Sequence, residues 1–266
     1  MALSLDIITL GVPQVEAARG FYSSLYSAEL VGDGPTSGLD LGGTGRLALE
    51  PVDALAAVVG AEPASAGFRG YVLSTIVERP SEVRALLDAA AGRGATVVKP
   101  AKKEFFGEFT GVHRAPDGAV WKLAAAGKKD TPPVPEPPQP TETTVYLGVA
   151  APKASRAFYE ALGMGVRHDY GDKYIDFDAA VGAGRLGLLT RKALAKDVGV
   201  EGAGDGFSAL VLTHIATSRE DVDALLAAAA ESGGRITAPA ATTGEGTYTG
   251  HFTDPDGYHW RLTARA

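Results

Sequence analysis

Residues 8–25, ITLGVPQVEAARGFYSSL, return without a gap as residues 145–162, VYLGVAAPKASRAFYEAL, and this recurrence decides how the chain is to be divided. Three further pairs follow in the same order. RLALEPVDAL from Arg46 matches RLGLLTRKAL from Arg185, and PSEVRALLDAAAGRGATVVKP from Pro80 matches REDVDALLAAAAESGGRITAP from Arg219. FTGVHRAPDGAVWKL from Phe109 matches YTGHFTDPDGYHWRL from Tyr248. A period this long, held in register, is the signature of whole-domain duplication and not of a solenoid repeat.

Between the copies lies PPVPEPPQP, residues 132–140, whose prolines withhold backbone donors and favour an extended polyproline form. The chain therefore divides into a first module, 1–128, a proline-rich linker, 129–141, and a second module, 142–266. Each module reads alike. Ile8, Leu10 and Val12 alternate as one face of a half-buried strand. Phe21 and Leu25, repeated as Phe158 and Leu162, sit four apart on a helix. Val83, Leu86 and Leu87, repeated as Val222, Leu225 and Leu226, mark a second helix, with Gly94 or Gly234 as its cap. In DPDG, 254–257, the proline presets φ and the glycine accepts positive φ, as a hairpin with a glycine bulge requires. Short βαβββ units in tandem predict an α+β chain, with helices outside and sheet within.

Composition sets the outer bounds. With 45% hydrophobic residues and no apolar run approaching about 20 residues, the chain is expected to be soluble, and the N-terminus lacks a secretory pattern, so the cytoplasm is expected. No cysteine is present, which removes thiol nucleophiles, disulfides and thiolate-held metals. A net charge of −7 without a basic, aromatic-interleaved run argues against nucleic acid as a partner.

The strand ITLGV, the helices around FYSSL and RAFYEALG, and the twice-written PDGxxW together resemble the vicinal oxygen chelate superfamily. That group includes glyoxalase I, extradiol dioxygenases, fosfomycin-modifying enzymes and bleomycin-resistance proteins. The resemblance implies paired βαβββ modules whose curved mixed sheets enclose clefts, with a divalent metal in the enzymes held from the first and last strands. The positions matching those ligands are Ile7, Thr144, Lys122 and Arg261. Ile7 has no lone pair, Thr144 is a weak neutral donor, and the two cations repel a metal ion. No metal and no cofactor are expected at these positions.

On the last strand, alternation sets Arg261 beside His259 and Thr263 on one face, with Trp260 and Leu262 on the other. Arg261 and Lys122 are thus candidates to hold an anionic or aromatic ligand, or alternatively to pair with a carboxylate such as Glu50. Tyr146 and Thr144 share a strand face as pocket candidates, and Phe106 and Tyr248, with Phe105 and Phe109, are candidates for a cleft wall. His259 with Glu50 is the candidate acid–base pair. His214 suggests a capping or structural role, and His113 and His251 are expected as surface or hydrogen-bonding residues. The leading expectation is a metal-free small-molecule-binding protein, similar to the resistance proteins, pairing its modules internally as a monomer or across a homodimer. The alternatives are a glyoxalase-like lyase or isomerase, a dioxygenase with a displaced metal, metal-free acid–base chemistry, and a ligand-free scaffold.

Overall fold

The computed structural model describes residues 2–63, 65–104, 107–130, 137–244 and 246–265. Four βαβββ units follow one another. The first comprises β1 (Ile7–Val12), α1 (Val15–Tyr26), β2 (Leu30–Val31), β3 (Gly38–Asp40) and β4 (Arg46–Pro51). A short helix, α2 (Val52–Val59), and β5 (Ser65–Gly67) lead to the second: β6 (Tyr71–Val77), α3 (Pro80–Gly92), β7 (Thr96–Lys103), β8 (Phe109–Arg114) and β9 (Val120–Ala125). The third holds β10 (Glu142–Val149), α4 (Pro152–Ala161), β11 (Val166–Asp169), β12 (Ile175–Phe177) and β13 (Arg185–Thr190). After α5 (Arg191–Val198) and β14 (Gly204–Gly206) comes the fourth: β15 (Leu210–Ile215), α6 (Arg219–Glu231), β16 (Arg235–Thr242), β17 (Thr247–Thr253) and β18 (His259–Arg265).

The units do not pair within their own half of the chain. One eight-stranded sheet runs β16-β17-β18-β15-β1-β4-β3-β2, joining unit four to unit one; the other runs β11-β12-β13-β10-β6-β9-β8-β7, joining three to two. The seams are antiparallel, Ile7 opposite Thr213 and Thr144 opposite Ser74. The module pairing is thus made inside one chain.

Helices were expected outside the sheets, but α1 and α4 each touch both. From α1, Tyr22 donates to Asp117 at 2.7 Å and accepts from the Trp121 indole at 3.2 Å, both in the sheet of unit two. From α4, Tyr159 does the same with Asp254 and Trp260, at 2.6 and 3.3 Å, in the other sheet. The convex faces of both sheets and the helices therefore share one apolar core. Both tryptophans are fully buried, and their indole donors are satisfied by the tyrosines, as burial of such groups demands. His113, expected as a surface or hydrogen-bonding residue, is in this core as well, beside Phe21 and in the position that Phe252 occupies in the other copy; neither ring nitrogen has a hydrogen-bond partner among the described residues, and burial lowers its pKa to about 4. The hairpin turn is as the sequence predicts, with Gly257 at φ +90°. The cap of the fourth unit's helix falls to Gly233, at φ +97°, and not to Gly234.

The concave faces look away from that core, and each is partly covered by a short helix that the sequence reading did not contain. Leu55, Ala56 and Val59 of α2 pack on Ala209, Val211 and Phe207; Leu194, Ala195 and Val198 of α5 pack on Val72, Val112 and Val120. No described helix is long and apolar enough to cross a membrane.

Since β1 and β6 each find their seam partner in the other module, residues 1–128 expressed alone would carry two unpaired sheet edges. They are expected to dimerise or aggregate; sedimentation of a folded monomer of that fragment contradicts this pairing.

Candidate functional site

The concave face of the first sheet is built on two rungs. His251, Arg261, Thr213, Ile7 and Arg46 form one; Thr253, His259, Val211, Thr9 and Ala48 form the next. Arg261, on β18, is largely buried and reaches across the seam to Glu50 on β4, with Nη1 3.1 Å from Oε1. Of the two roles considered for Arg261, pairing with Glu50 is thus present in the structure. Beside this pair, the hydroxyls of Thr9 and Thr213 and Nδ1 of His251 are buried without a hydrogen-bond partner among the described residues. Burial, reinforced by the neighbouring Arg261 and His259, lowers the His251 pKa to about 4, so the imidazole is neutral near pH 7. His251 was expected as a surface or hydrogen-bonding residue; it lies on this enclosed face because it pairs with Arg261 in the ladder.

The second sheet repeats the geometry with other residues. Val112, Lys122, Ser74, Thr144 and Arg185 form the rung equivalent to that of Arg261. Lys122 Nζ lies 3.1 Å from Asp197 on α5 and 3.5 Å from Glu108. Burial opposes its charge, yet the two carboxylates outweigh that cost and hold its pKa above the ordinary lysine value. Thr144 donates to Glu142 at 3.0 Å, and Glu142 also receives Arg185 at 2.8 Å. Tyr146 lies on the same face, its ring over Gly187, where any β-carbon would fall 2.6 Å from the ring; Tyr174 stands 6.2 Å away.

These surroundings do not fit a divalent ion at the four strand positions. Ile7 offers no donor, the Thr144 hydroxyl is engaged, and Lys122 and Arg261 are cations already answered by carboxylates. Among the described residues no three His, Asp or Glu side chains converge.

Other candidates are dispersed. His259 lines the concave face edge-on to Phe207 at 5.8 Å, with Nδ1 unpartnered; burial and then Arg235 lower its pKa to about 4. Glu50 is engaged by Arg261, so its carboxylate is not a free partner for His259. Tyr248 is placed on the other face, donating to Asp223 of α6 at 2.9 Å with Arg219 over its ring; Phe109 likewise meets Arg84 of α3. Both rings face helices because their ladder partners, Ala264 and Ala125, do. Phe105 and Phe106 lie outside the described residues. His214 is structural: its Nδ1 accepts the Ser4 N–H at 3.1 Å and lies 3.3 Å from Asp6. His168 meets Asp176 at 2.9 Å.

The sequence reading missed Asp197 and Glu108 as partners of Lys122, and missed α2 and α5. The signal was present in VDALAAVVG and RKALAKDVG, where apolar residues recur at helical spacing before a glycine. Gly60 and Gly199 take φ +68° and +74° there.

A family model described as the Glyoxalase/Bleomycin resistance protein/Dioxygenase superfamily matches residues 4–123 and again 143–262. Among solved structures, glyoxalase I from Zea mays is similar over 99% of this chain and 92% of its own, at 18% identity and TM-score 0.66. A putative dioxygenase from Bacillus subtilis is similar over 99% of this chain and 85% of its own, at 15% identity and TM-score 0.64. At such identities the likeness is one of fold. No curated protein matches the chain.

Removing Glu50 would leave Arg261 charged and enclosed. Glu50→Ala is expected to cost about 2 kcal/mol, discounted for the partial exposure of Glu50, whereas Glu50→Leu with Arg261→Met is expected within about 1 kcal/mol of the parent. Urea denaturation of the single and double variants checks this; a neutral Glu50→Ala contradicts it.

Proposed function

The chain belongs to the Glyoxalase/Bleomycin resistance protein/Dioxygenase superfamily, and from that footing we propose that it binds a small molecule in its first cup without a chelated divalent ion. The observation that carries this reading is the Arg261–Glu50 pair, which spans the seam where the resemblance puts a metal. A guanidinium there replaces one function of a metal, the gripping of a ligand oxygen, and supplies none of its Lewis acidity. The ligand class that suits it carries an anionic or strongly polarised oxygen, with the unpartnered hydroxyls of Thr9 and Thr213 and the neutral His251 as further contacts. Glu50 would serve as the counter-ion that keeps Arg261 in place until the ligand arrives.

The second cup offers Lys122, Thr144 and Tyr146 to a flatter, more aromatic ligand, with Tyr174 extending the ring surface. Sequestration in the cytoplasm, as in the resistance proteins, is the role we favour. Acid–base catalysis by His259 and Glu50 draws no support from their contacts, since Glu50 is held by Arg261 and His259 by Phe207. A displaced metal has no converging donor set among the described residues to rest on.

Native mass spectrometry of the protein taken gently from cells tests the reading. The expected spectrum shows an organic adduct that Arg261→Met loses; a coordinated ion and no organic mass contradicts it. After dialysis against zinc, nickel or manganese, the parent chain is expected to retain a substoichiometric amount. Ile7→His combined with Arg261→Glu, which frees Glu50 and adds two donors, is expected to retain an ion.

A further inference from the structure

We infer that the junction between the modules holds a second small-molecule site, distinct from the Arg261 and Lys122 ion pairs though sharing His259 with the first cup, suited to a compact aromatic carboxylate. A cavity of about 380 Å³ opens where the connections following α2 and α5 meet the β17–β18 turn, with Arg69, Arg191, Phe207, Tyr258 and His259 in its wall. That volume lies within the range of ordinary ligand pockets, about 300–1,000 Å³.

The two guanidinium groups are held by backbone carbonyls. Arg191 donates to Gly202 O at 3.1 Å, to Gly204 O at 2.9 Å and to Phe68 O, and Arg69 donates to Asp117 O at 3.0 Å. Carbonyl acceptors orient a guanidinium without cancelling its charge, which leaves that of Arg191 for an anion, while the charge of Arg69 is shared with the nearby Asp117 carboxylate. The acidic residues of the wall do not compete closely. Asp256 is occupied by the Ala150 N–H at 2.7 Å and the Ser155 hydroxyl at 2.6 Å, and Glu62 stands at the exposed rim. Phe207 and the His259 ring, edge to face at 5.8 Å and 76° apart in plane, give an angled aromatic corner into which a ring can pack. Nδ1 of His259 is enclosed there without a partner, and Tyr258 fixes the floor by donating to Gly70 O at 2.6 Å.

Duplication supplies an independent comparison. At the position related by the repeat, Arg191, Tyr258, His259 and Arg69 correspond to Val52, Ala119, Val120 and Ser208, while Phe207 corresponds to Phe68. The space beside Ala119 and Val120 is about 10 Å³. A packing requirement of the fold would be met alike in both copies. Arg191, the imidazole and the volume have instead been gathered on one side only, the smaller space being lined by Arg69 and Arg114 as well, which is the pattern of a site.

Titration of the intact protein with benzoate, following the imidazole C–H resonances of His259, tests the inference; His259→Val, which installs the residue found at position 120, assigns those resonances. A saturable shift of His259 is expected, with inorganic phosphate at equal concentration giving a smaller one. Arg69→Gln is expected to weaken benzoate about tenfold, the loss of one charge-assisted contact, with the His113 resonance reporting that the core is intact. Glu50→Gln, which alters the Arg261 pair and leaves Arg69 and Arg191 in place, is expected to leave the benzoate affinity unchanged even where it offsets the His259 resonance, so the two sites fail or stand separately. No saturable shift, or a shift unaltered by Arg69→Gln, overturns the site. An equal response to phosphate overturns the aromatic assignment, and loss of the response in Glu50→Gln places benzoate in the cup and overturns the separation.

Discussion

A positive charge in the middle of a half-enclosed strand must be answered by a negative one, and the rest of this molecule's concave architecture follows from that requirement. Arg261 and Lys122 occupy the same ladder position in the two sheets. Their partners come from different places. Glu50 answers Arg261 from β4, across the seam and beyond β15 and β1, whereas Asp197 answers Lys122 from the helix lying over the face. The residues at the reciprocal positions are Leu189 and Val58, so neither copy inherited the other's solution. Each copy thus carries a cation at this ladder position and neutralises it from a different element.

Around these pairs the chain is woven across its own duplication. Each sheet takes one unit from each module, and the tyrosines of α1 and α4 tie the helical layer to the tryptophans of both sheets. The carboxylate in each tie is supplied differently, by Asp117 in one copy and by Asp254 in the other, two residues earlier in the repeat. The short helices α2 and α5 then cover part of each cup with aliphatic side chains, which narrows the open face to the neighbourhood of the ion pairs. What is left for a ligand is a restricted, polar-floored space and, at the module junction, a cavity with two carbonyl-held arginines.

Much of this was legible in the residues. Alternation in ITLGV put Ile8, Leu10 and Val12 into the core, the PDG turns took the predicted glycine geometry, and alternation in HWRLT put Arg261 on the concave face with Glu50 as a partner. Strand periodicity tells which face a side chain is on, and it does so locally. It does not tell which strand lies opposite. The Arg261–Glu50 contact was reachable only because a carboxylate on a strand was an obvious counter-ion, while Asp197 sits on a two-turn helix whose placement depends on tertiary packing. The same limit applies to Tyr248 and His113. The first was a candidate for a cleft wall and the second for a surface or hydrogen-bonding role, yet ladder register sends one towards α6 and the other into the core.

The account rests on internal ion pairs standing where relatives are implied to hold a metal. Anomalous diffraction across the zinc, nickel and iron edges, from crystals of protein taken from cells without chelator, measures this most directly. The predicted result is an ordered Arg261 side chain within hydrogen-bond distance of Glu50 and no anomalous peak within about 2.6 Å of Glu50, Thr213 or His251. A peak at that distance with Arg261 turned out of the cup would contradict it.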